Sequence, residues 1–223
     1  MRNVAADVRP PSYERPRPSV LNRDQAQQLI DAARAERLEA AYVVGLTVGL
    51  RRGELLGLRW EDLDFEEHTL SVRQALERIG GSLQFVPQKQ DEPPHNHTDR
   101  RLGPHLAQTR RSANRRTIVR RSKVVRAWAV FTTRIGTPIE PRNLTRDFKR
   151  VLRKADLPNS LRWHDLRHST ASLLLAQKVH PRVVMEQLGH SQISLTTDTY
   201  SHVVAPLMRE AAAKMDAVLA AER

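Results

Sequence analysis

Apolar residues recur at helical spacing in the first third of the chain. From residue 21 this pattern predicts an amphipathic helix that begins after a capping Asn22. Its apolar face consists of Ala26, Leu29, Ile30 and Ala33. Residues 37–50 are almost entirely apolar, which predicts a second helix that is buried on all sides. Residues 51–60 predict a short third helix, and the segment "EDLDF" (61–65) predicts a turn.

An alternating pattern replaces helical spacing after this turn. Residues 68–76 and 81–86 alternate around the segment "RIGG", which predicts the start of an antiparallel sheet. Helical spacing returns at Asn143, and the predicted helical and following segments cover residues 143–157, 164–177, 181–189, 194–203 and 206–222. Residues 181–189 carry proline in the first turn and Gly189 at the end, as helices commonly do. The pattern therefore predicts a mainly α fold with a small antiparallel sheet at its edge.

Composition narrows the class of protein. The 223 residues include 39% apolar and only 4% aromatic side chains, which indicates an aliphatic, helix-rich core. There is no cysteine, so disulfides and thiolate metal sites are excluded, and a reducing intracellular compartment fits. The longest apolar run has about eleven residues, too few to span a bilayer. The first twenty residues are rich in proline and lack an apolar targeting core, which predicts a linker.

Residues 88–129 interrupt the pattern. They contain prolines, histidines and runs of arginine, with almost no hydrophobic periodicity. Eleven Lys and Arg residues against three Asp and Glu place eight of the twelve net positive charges here. The overall charge of +12 is therefore weak support for nucleic-acid binding by the patterned part of the chain.

Five residues outside this stretch suggest a shared chemistry: Arg51, His164, Arg167, His190 and Tyr200. Each also has an ordinary structural interpretation, such as an ion pair between Arg51 and Glu54 one turn apart. Together, two arginines, two histidines and a tyrosine suit phosphoryl transfer through a covalent intermediate. Guanidinium groups bind two phosphate oxygens at once, histidines move protons near neutral pH, and a tyrosine oxygen is a competent nucleophile.

The segments "TVGLRRGELLGLRWEDLDF", "HDLRHSTASLLL" and "VVMEQLGHSQISLTTDTYSHV" resemble, in order and spacing, the catalytic domain of the tyrosine recombinases, the phage-integrase family. The resemblance covers roughly residues 20–87 and 130–212. It implies that Arg51 and Arg167 clamp the phosphate, that His164 handles protons and that His190 hydrogen-bonds the phosphate. It further implies that Tyr200 attacks to form a 3′-phosphotyrosine bond, with no metal or other cofactor.

The resemblance also implies a domain organisation and partners. Residues 1–20 resemble the end of a core DNA-binding domain and its linker, 21–212 the catalytic domain, and 213–223 a C-terminal helix or tail. The family's second clamp domain is missing from the sequence, which would remove many phosphate contacts. Double-stranded DNA at attachment or recombination sites is the expected partner, with self-association into a tetramer on DNA. The expected location is the cytoplasm, at the nucleoid when the protein is bound to DNA.

The family places a catalytic lysine on a hairpin directly after the strand at 81–86, where this chain reads "PQKQDEPPHNH". Codons for residues 88–98 can be chosen so that reading one base later gives "KNKTSRRTITL", which contains that lysine. We therefore interpret 88–129 as a frameshifted, disordered segment that disrupts the sheet and hairpin region. Alternatively, "TRRSANRRTI" is the expected segment after an insertion, with Gln108 at the lysine position. Lys89 lies nearby but has no credible strand around it, so the lysine stays unassigned.

The sequence thus predicts site-specific cutting and rejoining of DNA, as in integration or excision of a mobile element. Two other interpretations remain. The chain can be a non-catalytic DNA-binding remnant of a decayed integrase gene, since the clamp domain and the lysine are missing. A type IB topoisomerase shares the chemistry, but the compact spacing of "HDLRH", "LGH" and the tyrosine favours the recombinase.

Overall fold

The structure is a computed structural model that describes residues 19–88 and 128–189, the backbone of 95–98, and residues 106, 107 and 109. Six α-helices contain slightly less than half of these residues. They are α1 (Arg23–Ala33), α2 (Glu39–Thr47), α3 (Arg52–Gly57), α4 (Pro141–Lys154), α5 (Trp163–Ala176) and α6 (Pro181–Leu188). A 3₁₀ turn at Trp60–Asp62 follows α3. Within these ranges no helix combines the length and the apolar character needed to cross a membrane.

The helix ends follow the signals in the sequence. The Asn22 side chain accepts a hydrogen bond from the Gln25 N–H at 2.9 Å, and the Gln25 side chain accepts one from the Asn22 N–H at 3.0 Å. This reciprocal pair satisfies two N–H groups that the first turn of α1 leaves open. The helix α6 begins at Pro181 and ends at Leu188, and the next residue, Gly189, has a left-handed φ of 63°.

Five short strands form two antiparallel sheets. The strands are β1 (Leu63–Asp64), β2 (Thr69–Val72), β3 (Gln74–Ile79), β4 (Ser82–Pro87) and β5 (His95–Thr98). One sheet has the order β1-β2-β5, and the other consists of β3 and β4. Gly80 and Gly81 close the β3–β4 hairpin with positive φ angles of 56° and 83°, as a type I′ turn requires.

The alternating segment predicted over 68–76 forms two strands in different sheets, not one. Arg73 separates β2 from β3. The reason is the contact between β3 and α3, in which a Cβ at Gly57 would lie 2.8 Å from the Gln74 carbonyl oxygen. Glycine at this position lets β3 leave the first sheet and lie against α3, a tertiary contact that residue alternation alone does not indicate.

The structure differs in part from the prediction that residues 88–129 lack regular structure. The backbone of β5 pairs with β2, with Leu70 opposite His97. Leu106 is buried in the core, and Ala129 forms an antiparallel bridge with Arg59. The N–H and C=O groups along β2 need partners, and any extended segment can provide them whatever its side-chain pattern. Most of 88–129 lies outside the described residues, so the frameshift remains a hypothesis.

An aromatic cluster joins three helices in the core. Tyr42 on α2, Phe148 on α4 and Trp163 on α5 are all buried, with ring centroids 5.6 to 6.2 Å apart. The Tyr42 hydroxyl donates to the Asp147 carboxylate at 2.6 Å. Burial and this hydrogen bond raise the pKa of Tyr42 far above its usual value. The cluster fixes α2, which leads into the loop before Arg51, relative to α5, which carries His164 and Arg167.

We expect Phe148→Ala to destabilise the protein by about 3–5 kcal/mol, because it removes a fully buried ring and leaves a cavity between α2, α4 and α5. Ile135→Ala is the matched control, since Ile135 is 57% exposed and should change the free energy of unfolding by less than about 0.5 kcal/mol. Urea denaturation monitored by circular dichroism measures both. Equal losses would show that the cluster is not the centre of the core.

Candidate active site

Side chains on α5 and α6 donate hydrogen bonds to backbone carbonyl groups at the end of α2 and in the loop between α2 and α3. These bonds hold the loop in place. The last carbonyl groups of a helix have no partner within the helix and must find donors elsewhere. Here Thr170 Oγ1 donates to Leu46 O at 2.7 Å, and Gln187 Nε2 donates to Thr47 O at 3.1 Å. Both donors lie more than a hundred residues further along the chain, so the fold itself brings them to the end of α2.

Two further donors reach the loop just before Arg51. Arg167 Nη1 donates to Gly49 O at 2.9 Å, and Trp163 Nε1 donates to Leu50 O at 3.3 Å. Gly49 has a φ of 76°, and a Cβ at this position would lie 2.6 Å from the Leu188 side chain. The loop therefore requires glycine for both its backbone conformation and its contact with α6.

Arg51 precedes the first residue of α3, where Glu54 holds it. One Glu54 oxygen accepts from the Arg51 N–H at 2.8 Å, and the other accepts from Nη1 at 2.7 Å. The Arg51 side chain remains 43% exposed, whereas that of Glu54 is only 10% exposed. The carboxylate thus caps the helix and orients the guanidinium, and it leaves the other N–H donors of the fork for a ligand.

The same arrangement begins α5. Asp165 is buried, and its two oxygens accept from the Arg162 N–H at 2.7 Å and from Arg162 Nη2 at 3.0 Å. This carboxylate fixes the first turn of α5, which carries both His164 and Arg167. Because the two residues are three apart, they lie on one side of the helix.

The structure brings three of the five predicted residues together. Arg167 is buried, and its bond to Gly49 O holds it beside the loop that carries Arg51. His164 is exposed at the helix surface. Partial burial of its ring lowers the pKa of His164, and the positive charges of Arg167 and Arg51 lower it further, whereas Asp165 acts in the opposite direction. Both arginines are therefore close enough to favour the neutral imidazole.

The other predicted site residues lie outside the described residues. His190 follows Gly189, the last described residue, and Tyr200 comes ten positions later. Lys89 follows Gln88, whose N–H donates to Arg73 O at 2.9 Å. The roles of these residues stay predictions.

Sequence reasoning missed His168, which lies one turn after His164 on α5. The two imidazole rings have centroids 4.8 Å apart and planes at 89°. Burial, and then the positive charges of His164 and Arg167, lower the pKa of His168 to about 4 against a weaker opposing effect of Asp165. The four-residue spacing in "HDLRH" is a signal for this contact. The loop-holding roles of Thr170 and Gln187 had no comparable signal.

Two cationic forks beside a neutral imidazole are suited to an anionic tetrahedral group such as a phosphodiester. Arg51 presents an exposed guanidinium that one carboxylate orients, and Arg167 presents a buried guanidinium that a backbone carbonyl holds. A fixed guanidinium offsets negative charge that develops on phosphorus without needing to reorganise. His164 can accept or donate a proton at the same place.

Comparison with known proteins identifies a family. A sequence model of the phage integrase family matches residues 19–205. The chain is 30% identical to a tyrosine recombinase XerC-like protein of Caldanaerobacter subterraneus subsp. tengcongensis, over 81% of the chain and 49% of the relative. It is 31% identical to the tyrosine recombinase XerC of Xanthomonas campestris pv. campestris, over 89% and 56% respectively. The chain thus spans about half the length of these relatives.

Solved structures share the fold. The Tn1549 transposon integrase in complex with transposon right end DNA has a TM-score of 0.74 at 22% identity, covering 95% of this chain and 72% of that one. The XerA recombinase has a TM-score of 0.65 at 20% identity, covering 88% and 66%. The predicted mainly α fold with small antiparallel sheets, that of a tyrosine-recombinase catalytic domain, is confirmed.

We expect Gly49→Ala to destabilise the protein more than Gly136→Ala. Both glycines have positive φ, 76° and 83°, so both substitutions carry the cost of a left-handed alanine, about 1–2 kcal/mol. Only at Gly49 would the added Cβ also meet a neighbour, at 2.6 Å, which adds roughly 1–3 kcal/mol of overpacking. The difference between the two urea unfolding free energies isolates the contact with α6. No difference would mean that α6 does not press on the loop.

We expect stability to fall as the pH is lowered from about 7 to about 5, before most carboxylates titrate. In the unfolded chain the imidazole of His168 binds a proton near pH 6.5, whereas in the folded chain its pKa is about 4. Protonation therefore favours unfolding, and the stability lost appears as the pH falls through 6.5 toward 4. His168→Phe should reduce this pH dependence of the urea midpoint. An unchanged dependence would contradict the shifted pKa.

Proposed function

The chain belongs to the phage integrase family, and on that premise we propose that it cuts and rejoins DNA at specific sites through a 3′-phosphotyrosine intermediate. The observation that carries the proposal is the joint placement of Arg51, His164 and Arg167 by the α2–α3 loop and α5. This placement follows from hydrogen bonds within the chain.

In the proposed cleavage step the Tyr200 phenol oxygen attacks the scissile phosphorus and gives up its proton. A bond forms between phosphorus and the tyrosine oxygen, and the bond from phosphorus to the 5′ oxygen breaks. The 5′ oxygen leaves as a hydroxyl after taking up one proton. Rejoining is the reverse reaction with a new 5′ hydroxyl, so the energy of the phosphodiester is conserved and no nucleotide cofactor is consumed.

Each site residue has a role in this step. Arg51 and Arg167 bind the non-bridging oxygens and offset the charge that grows on phosphorus in the transition state. His164, neutral near pH 7 because of its lowered pKa, accepts or passes a proton beside the phosphate. His190 donates a hydrogen bond to the same phosphate. We assign the proton of the departing 5′ oxygen to no described residue.

The proposed partner is duplex DNA that carries an attachment or recombination site of a mobile element. Support comes from the DNA complex of the transposon integrase named above, which shares the fold. We further propose that copies of the chain associate on DNA, as a tetramer across two duplexes, and that the protein acts in the cytoplasm at the nucleoid.

A second candidate function is DNA binding without catalysis. The observation that favours it is the segment "PQKQDEPPHNH", which stands where the family has its catalytic lysine. Under this alternative the chain binds duplex DNA through its arginines but forms no covalent bond. The two functions differ in one product, the protein–DNA adduct.

We expect the chain to form a covalent adduct with nicked duplex DNA, and Tyr200→Phe to abolish it. The probe is a pool of nicked duplexes with randomised sequence around the nick, and adducts are scored as a band that survives SDS. Tyr200→Phe removes one oxygen and should leave binding in a mobility-shift assay intact. Binding by both proteins with no adduct from either identifies the non-catalytic alternative, and an adduct that persists in the phenylalanine variant refutes Tyr200 as nucleophile.

We expect Arg51→Ala to lower the rate of adduct formation by roughly 10²–10³ while it weakens DNA binding much less. Arg51→Lys should not restore the rate, because an ammonium group cannot bind two oxygens as a fork does. Arg34→Ala is the matched control, since Arg34 forms an exposed pair with Asp31 on α1. Equal losses of binding and rate would instead identify Arg51 as an ordinary backbone contact.

A further inference from the structure

We propose that His168 is a positioning residue that holds the His164 imidazole in the orientation needed for proton transfer at the phosphate. The inference rests on the proposed function, in which His164 handles that proton. His168 itself does not reach the reacting atoms in this role. It acts through the ring of His164, one helical turn away on α5.

The first observation is the geometry of the two rings. Their centroids lie 4.8 Å apart and their planes are at 89°, so the edge of one ring meets the face of the other. Perpendicular contacts of this kind are the preferred arrangement of neighbouring aromatic rings. An exposed imidazole otherwise rotates freely about its last side-chain bond, and a half-turn exchanges the position of each ring nitrogen with that of a ring carbon. The contact with His168 opposes that rotation.

The second observation is that the backbone around His168 is itself anchored. Arg167, the residue before it, is fixed through its bond to Gly49 O. Ser169, the residue after it, accepts from the Leu21 N–H at 2.8 Å and donates to Asp165 O at 2.7 Å. His168 is only partly exposed, whereas His164 is exposed. The less mobile ring is therefore the support, and the accessible ring is the one supported.

The third observation is the charge around the pair. Besides burial, the positive charges of His164, Arg167 and Arg162 lower the pKa of His168, and the carboxylate of Asp165 raises it. Arg51 lowers the pKa of His164 as well. Near pH 7 a cation at position 168 would add repulsion to a site that already holds three guanidinium groups. A neutral ring supports His164 without that added charge.

Three substitutions separate positioning from simple filling of space. His168→Ala removes the ring, His168→Phe keeps an aromatic ring of similar size without its nitrogens, and His168→Gln keeps a polar side chain without a ring. If the ring supports His164, phenylalanine rescues the function and glutamine does not. His180→Asn is the matched control histidine, because asparagine can still cap α6, as the His180 side chain does by accepting from the Arg182 N–H.

The direct readout is ring NMR on protein labelled at histidine, which reports the tautomer and the pKa of His164 and needs no DNA. In His168→Ala and His168→Gln we expect His164 to become a mixture of tautomers, with its pKa closer to the ordinary value because its ring is more hydrated. His168→Phe and His180→Asn should keep the single tautomer. Circular dichroism checks that each variant is folded, and His168→Gln replaces His168→Ala if the alanine variant is not.

The second readout is the rate of adduct formation on the nicked duplex pool. We expect His168→Ala to lower this rate roughly tenfold, less than the roughly 10²-fold or greater loss expected for His164→Ala, with DNA affinity unchanged. His168→Phe should recover most of the loss. Identical tautomer and pKa of His164 in all variants overturns the inference. Wild-type protein that forms no adduct refutes the proposed function instead, and the NMR result then still decides whether His168 orients His164.

Discussion

The geometry of the candidate site depends on one requirement, that the carbonyl groups at the end of α2 find hydrogen-bond donors. Thr170 and Gln187 satisfy the helix end, while Arg167 and Trp163 bond the two loop carbonyls that follow. An unpaired buried carbonyl costs about 1–3 kcal/mol, so the loop is stable only when α5 and α6 are docked. The same docking brings Arg51 to the side of α5 that carries His164. Folding of the core and assembly of the site are therefore one event.

A second device is local and occurs three times among the residues that the structure describes. A carboxylate three residues after an arginine accepts from both the N–H and the guanidinium of that arginine, at Arg51–Glu54, Arg59–Asp62 and Arg162–Asp165. Each pair caps the start of a helix or 3₁₀ turn and orients the arginine at the same time. In two of the three, the capped turn carries or adjoins a residue of the candidate site. Short-range pairs of this kind position the side chains, and the long-range bonds to α2 position the turns.

Whether a feature of the fold or the site could be predicted from the sequence depends on how far apart its interacting residues lie along the chain. The helices, the capping Asn22 and the glycine hairpin were predicted because their signals lie within a few residues. The break at Arg73 and the pairing of β5 were not, because they depend on contacts between distant segments. Arg51, His164 and Arg167 were identified through motif resemblance, and the structure brings them together. Thr170 and Gln187 were missed because their partners are backbone carbonyls 124 and 140 positions away, which residue types do not encode.

The contact of α6 with the Arg51 loop makes these two elements a mechanical linkage. Gln187 bonds the Thr47 carbonyl, and the Leu188 side chain fills the space that a Cβ at Gly49 would need. A rotation or shift of α6 therefore removes one side-chain hydrogen bond and one packing contact from the loop, whereas the bonds from α5 remain. Because Arg51 follows this loop directly, the position of α6 is coupled to the start of α3. The last turn of α6 thus limits how far the loop before Arg51 can shift.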